Sequence, residues 1–158
     1  MEYNDIYDKQ RNLTGRVHLR GTRWEPGEYG LVVCVWVYDG AGKLLLTRRA
    51  PGKSFAGTWE NSGGAAKAGE TSRQAIAREL FEETGIRATE DEFELIATER
   101  EGNMHYDHYC LHRTTPLEQI VLTRSVKNLP DVLTEDDFEQ PAYNAPAEDS
   151  DFEDDDFE

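Results

Sequence analysis

Residues 64–86 read GAAKAGETSRQAIARELFEETGI: a glycine-rich loop that runs into a helical pattern and stops at a glycine. Thr71 with Gln74 three residues on forms a capping-box pair, which predicts the helix start. Gly85 fits a left-handed C-terminal stop. At 100° per residue Ile76, Ala77, Leu80, Phe81 and Thr84 share one arc and are expected to pack. Glu79, Glu82 and Glu83 share a neighbouring arc roughly 100° wide. Like charges three and four apart on a helix repel by a few tenths of a kcal/mol per pair. A solvated acidic face is one explanation. A divalent cation is another, because hard Mg²⁺ prefers carboxylate oxygens and keeps waters beside substrate phosphates, whereas zinc would want His or Cys.

The surroundings fix the scale. The 158 residues suffice for one domain with a core. The formal net charge is −15, and residues 135–158 hold twelve Asp and Glu with no Lys or Arg, so the body alone carries −3. A polyanion disfavours nucleic-acid polymers and acidic membranes as partners. The longest apolar run, LVVCVWVY at 31–38, is far short of the roughly 20 residues that span a bilayer. The N-terminus has no signal-peptide core, so the cytoplasm is the expected location. Cys34 and Cys110 have no metal-type spacing and are expected as buried free thiols.

Along the chain, residues 3–20 suggest a short hairpin or extended arm. Leu31–Tyr38 and Lys43–Arg48 flank DGAG and predict an antiparallel hairpin. Residues 50–70 lack periodicity and read as a long, functional loop. Phe93–Glu101, His105–His112 and Leu117–Thr123 read as strands, and LPDVLTEDDFEQ at 129–140 as one short helix. The organisation is therefore a domain over 1–134 and an acidic, disordered tail over 135–158 in which Asp-Phe-Glu recurs at 137, 151 and 156.

Counted from Gly64, the stretch is Gly, five residues, Glu70, seven residues, Arg78-Glu79-Leu80, one residue, Glu82-Glu83, one residue, Gly85-Ile86. This resembles the Nudix box, G-x5-E-x7-R-E-U-x-E-E-x-G-U, at every defined position. Upstream, GEYGLVVCVWV and GKLLLTRRAPGKSFAGTWENSGG look like the branch that includes isopentenyl-diphosphate isomerase. The resemblance implies an α/β/α sandwich around a mixed sheet and Mg²⁺- or Mn²⁺-dependent attack of water on a diphosphate linked to another moiety, often a nucleoside. It carries metal ligation to Glu79, Glu82, Glu83 and the carbonyl of Gly64 or Gly63, and catalytic or supporting roles to Arg78, Glu70, Glu79 and Glu82. Arg48, Arg49 and Lys53 become candidate phosphate contacts, because guanidinium binds phosphate bidentately. Glu99, Glu101, Asp107 and Glu118 are candidates for an extra ligand or base, and Trp24, Phe55, Trp59 and Tyr106 for stacking a base.

The isomerase branch needs a Cys and a metal-binding His just after W-x-N-S. Here Trp59-Glu60-Asn61-Ser62 is followed by Gly63-Gly64-Ala65. Hydrolysis is therefore preferred over isomerisation, with a non-catalytic Nudix-fold binding module as a further alternative. The expected partner is a small-molecule diphosphate, and a homodimer is left open.

Overall fold

The computed structural model describes residues 1–51 and 55–122. The expected short helix at 129–140, the domain boundary at 134, the acidic tail and Lys53 lie outside the described residues.

The central strand is β3 (Gly30–Tyr38), where from Leu31 onward buried odd-numbered residues alternate with half-buried even-numbered ones. That period of two places Leu31, Val33, Val35 and Val37 in the core. One edge of β3 pairs in parallel with all nine residues of β9 (Met104–His112). β9 continues the sheet through antiparallel β8 (Glu94–Glu101). The other edge of β3 is shared: β4 (Leu44–Leu45) pairs at Val37–Tyr38 and β7 (Ser62–Ala65) at Val32–Val35, both antiparallel. The sheet is thus mixed, as expected.

Three expectations need correction. The second strand of the DGAG hairpin does not run unbroken to Arg48. It breaks after Leu45, and Thr47–Arg48 (β5) turns away to pair with Trp59–Glu60 (β6). Residues 50–70 are accordingly not structureless, since they contain β6 and β7. Leu117–Gln119 forms a 3-10 turn after Pro116 rather than the start of a strand.

Helix α1 (Ser72–Thr84) packs on the core face. Thr71 caps it with both halves of the capping box, and Gly85 closes it at φ 75°. Ala75, Ile76, Leu80 and Thr84 are its buried residues. Phe81, placed on that arc by periodicity, is 38% exposed and lies under the Arg87 guanidinium at 4.1 Å. Its ring sits at the margin of the apolar stripe, where a cation covers its face.

The N-terminal segment is a hairpin of β1 (Tyr3–Tyr7) and β2 (Leu13–Leu19). Its turn is held to the body by a buried polar network. Both terminal nitrogens of Arg11 donate to the carboxylate of Asp107, which is 1% exposed. Ser72 at the start of α1 donates to the same carboxylate, and the Tyr109 hydroxyl donates to Ser72 at 2.8 Å. Asp107, a candidate ligand by residue type, is thereby a structural anchor. No helix among the described residues is long and apolar enough to cross a membrane.

Candidate active site

The Gly63–Gly64 backbone of β7 runs directly over the carboxylate side of α1. A Cβ on Gly64 would stand 2.4 Å from Glu79 Oε1. A Cβ on Gly63 would meet the Val33 carbonyl oxygen at 2.3 Å and Cys34 Cα at 2.9 Å. Backbone contact therefore requires glycine at Gly63, while at Gly64 a side chain would displace the Glu79 carboxylate. This explains why a strand paired to the central β3 is written SGGA, a composition that hid it from pattern reading.

Arg78 organises the cluster. Its Nε and Nη2 donate to the two oxygens of Glu70 at 2.7 and 2.9 Å. Its Nη1 donates to Glu79 at 2.7 Å and Glu82 at 3.2 Å, and Nη2 also reaches the Ala65 carbonyl at 3.1 Å. One guanidinium thus ties the loop at Glu70, the strand at Ala65 and two carboxylates of the helix, a task that suits its fixed fork of donors. Burial alone would raise the Glu70 carboxyl, but Arg78 and the Lys67 N–H hold it below the usual carboxylate range. For Arg78 burial works against the charge, and the bonds to Glu70 and Glu79 outweigh it.

Glu83 differs from its neighbours. Burial pushes its carboxyl up to about 7; Ser62 opposes the shift, and the charges of Glu79 and Glu60 add to it. The Gly63 N–H donates to Glu83 Oε2 at 3.3 Å. Glu82 is the exposed member of the three, its side chain 49% accessible. Lys67 lies 3.7 Å from Glu82 and 3.8 Å from Glu2. Sequence reading did not single out Lys67, although its place between Gly64 and Glu70 was a signal. As the side chains stand, no three of the described His, Cys, Asp and Glu residues converge on one point. Arg78 draws Glu79 and Glu82 toward itself, and Glu83 turns to Gly63.

The other candidates are spread over the loop and the sheet. Arg48 donates to the Gly57 carbonyl at 2.9 Å and lies 5.9 Å from the Trp59 ring centre. Arg49 pairs with Glu60. Trp24 stacks on His18 at 3.7 Å, and the two line a pocket of about 140 Å³ that reaches Ala65. Tyr106 stacks on His108 at 6.4 Å, and Phe55 is 63% exposed. Glu99 accepts from His108 rather than facing α1.

The NUDIX domain model matches residues 28–148. An uncharacterised Nudix hydrolase of Listeria monocytogenes, lmo0368, is 30% identical over 146 residues, spanning 88% of this chain and 83% of that protein. The CTP pyrophosphohydrolase of Escherichia coli is 48% identical over 52 residues, 33% of this chain and 38% of that protein. Among solved structures, DR0079 of Deinococcus radiodurans has the same fold, with a TM-score of 0.64 at 24% identity over 79% of this chain and 78% of that one. The glutamate-bearing helix under a glycine strand, with a match of this extent around it, places the chain in the Nudix hydrolase family.

Proposed function

We propose that the protein hydrolyses the diphosphate linkage of a nucleoside diphosphate derivative with the help of Mg²⁺ or Mn²⁺. The observation that carries the proposal is the seating of Glu79 and Glu83 directly beneath the Gly63–Gly64 backbone, with the movable Glu82 beside them. The donor set suits a hard cation: three carboxylates and the Gly64 carbonyl, all oxygen, with no thiol or imidazole among them. The cradle leaves no room for a Cβ at Gly64, so backbone and carboxylate can approach one another. Glu79, Glu82, Glu83 and the Gly64 carbonyl would hold the ion. Once bound, such a cation offsets the negative charge of the diphosphate and acidifies water beside it.

The chain's own groups do the rest. Glu82, half exposed and held by one 3.2 Å bond from Arg78, is the carboxylate best placed to orient water and accept its proton. Arg78 and Glu70 are positioning residues that hold helix and loop at fixed separation. Arg48, Arg49 and, nearer the helix, Lys67 are the candidate contacts for a diphosphate, for which Arg49 and Lys67 would exchange their present partners Glu60 and Glu82. Hydrolysis is favoured over isomerisation because a side chain at Gly63 has no space, which bars a nucleophile at that position. The nucleotide specificity of the Escherichia coli relative supports the substrate class.

Incubating the full chain with a panel of nucleoside diphosphate derivatives and Mg²⁺, with phosphate-containing products as readout, tests this. Turnover that Glu82→Gln removes is the expected result. No product from any member of the panel, or a Glu82→Gln protein equal to the parent, would defeat the proposal.

A further inference from the structure

The face of the sheet opposite α1 carries a second group of reactive side chains. Cys34 on β3 and His108 on β9 are register partners, and Glu99 on β8 lies two residues from Ala97, the partner of His108. His108 Nδ1 is 3.0 Å from Cys34 Sγ, and its Nε2 is 2.8 Å from Glu99 Oε1. An ionised carboxylate only accepts, so Nε2 carries a proton and Nδ1 accepts from the thiol. This is the order of a nucleophile, its base and the group that orients the base.

A separate observation concerns Asn61. Its Nδ2 is buried and has no hydrogen-bond partner. Burial raises the Cys34 thiol, the Asn61 side chain beside it opposes that rise, and the charges of Glu99 and Asp107 add to it. A buried donor without a partner is costly, and a sulphur anion at Cys34 would satisfy it. The cluster also reaches solvent: Cys34 is half-buried, correcting the expectation of a buried thiol, and the side chains of His108 and Glu99 are 23% and 62% accessible. Cys110 offers an internal comparison. It is 7% exposed, with its sulphur 3.5 Å from His112 Nε2.

We propose that Cys34 is a modification site, a thiol activated by His108, which Glu99 orients, that forms mixed disulfides with low-molecular-weight disulfides. In the step, His108 Nδ1 takes the Cys34 proton and the thiolate attacks one sulphur of the disulfide. The new Sγ–S bond forms as the old S–S bond breaks. The expelled thiolate recovers the proton from His108, so one thiol leaves for each thiol consumed. Asn61 Nδ2 faces the sulphur while it is charged.

The position gives the adduct a consequence. Cys34 is the register partner of Gly63, whose N–H holds Glu83. Neighbouring strands are about 4.8 Å apart, so an adduct on Cys34 lies one strand from the Gly63 backbone that holds Glu83, on the sheet face away from α1. Crowding at this pairing shifts Gly63 and with it Glu83, so modification blocks turnover and reductant restores it. That consequence rests on the hydrolase reading; the modification does not.

The reduced full chain is incubated with oxidised glutathione, and adduct at each cysteine is followed in time by peptide mass spectrometry. Cys34 is expected to react about 10-fold or more faster than Cys110. His108→Gln should slow Cys34 by about 10-fold and leave Cys110 unchanged, and Glu99→Gln should slow it by a smaller factor. Because Glu99 is exposed, its variant keeps the test standing if His108→Gln fails to fold. Equal rates at the two cysteines, or a Cys34 rate indifferent to Glu99→Gln, would overturn the proposal. An adducted protein that still turns over at the parent rate would overturn the blocking consequence alone.

Discussion

Replacing Arg11 with alanine tests how the N-terminal hairpin is tied to the catalytic body. The change removes the two charged bonds to Asp107 and leaves that carboxylate, 1% exposed, with Ser72 as its remaining side-chain donor among the described residues. Breaking a buried ion pair by deleting one partner costs about 3–5 kcal/mol, chiefly because an uncompensated charge stays behind. The Arg11 side chain is itself 32% accessible, so solvent screens the pair and the low end, about 3 kcal/mol, applies. For a chain of this size that is roughly a 6–12 °C fall in melting temperature, at about 2–4 °C per kcal/mol. Urea unfolding of the parent, Arg11→Ala, Asp107→Asn and the double variant supplies a full cycle. The pair should show a coupling of about 1–3 kcal/mol, with the double variant less damaged than the sum of the singles. An Arg11→Ala protein within about 0.5 kcal/mol of the parent would refute the reasoning, because surface substitutions alone reach that value.

Other expectations follow from single contacts. Gly64→Ala should fold, since its Cβ meets only the movable end of Glu79, yet lose about 10-fold or more in turnover as the carboxylate is displaced. Gly63→Ala meets backbone at Val33 instead and should lose about 2 kcal/mol or more of stability, measured by urea unfolding. Glu83→Gln addresses pH. Its carboxyl is raised from 4.5 to about 7, so the folded state disfavours the charge, and parent stability falls as pH rises through that window and then levels off. In chelator-treated buffer the Gln variant should therefore be more stable than the parent by about 3 kcal/mol near pH 8.5 and no different near pH 4, read from thermal melts. Thr71→Ala removes the side chain that accepts from the Gln74 N–H at 3.2 Å and should cost about 1 kcal/mol.

Local chemistry made part of this legible in the sequence. Thr71, Gln74 and Gly85 marked both ends of α1 because caps act within one turn, and the β-rich run LVVCVWVY beside DGAG announced a strand, whose buried face only the structure revealed. What escaped depends on contacts distant in the chain. Arg11 and Asp107 are 96 residues apart, and neither has a local pattern that points to the other. The strand at Ser62–Ala65 was hidden by its own glycines, which are there for close approach and score poorly as strand formers. Cys34 and His108 meet through a parallel pairing that periodicity does not announce. The three glutamates were placed on one helix side by spacing alone. Their hold by Arg78 and Gly63 became visible only when loop, strand and helix were brought together.

The parallel pairing of β3 with β9 has a consequence for how the chain is made. β3 is complete once residue 38 has been synthesised, but the strand that covers its whole length is not complete until residue 112. Antiparallel neighbours shield only its other edge, and they arrive with residues 44–45 and 62–65. A valine-rich ribbon therefore waits with one open edge while more than 70 further residues emerge, the condition under which strands from different chains pair with one another. Expression at reduced synthesis temperature or with added chaperone should relieve the resulting losses, and a charge on the solvent-facing side of β3 should relieve them without touching the core.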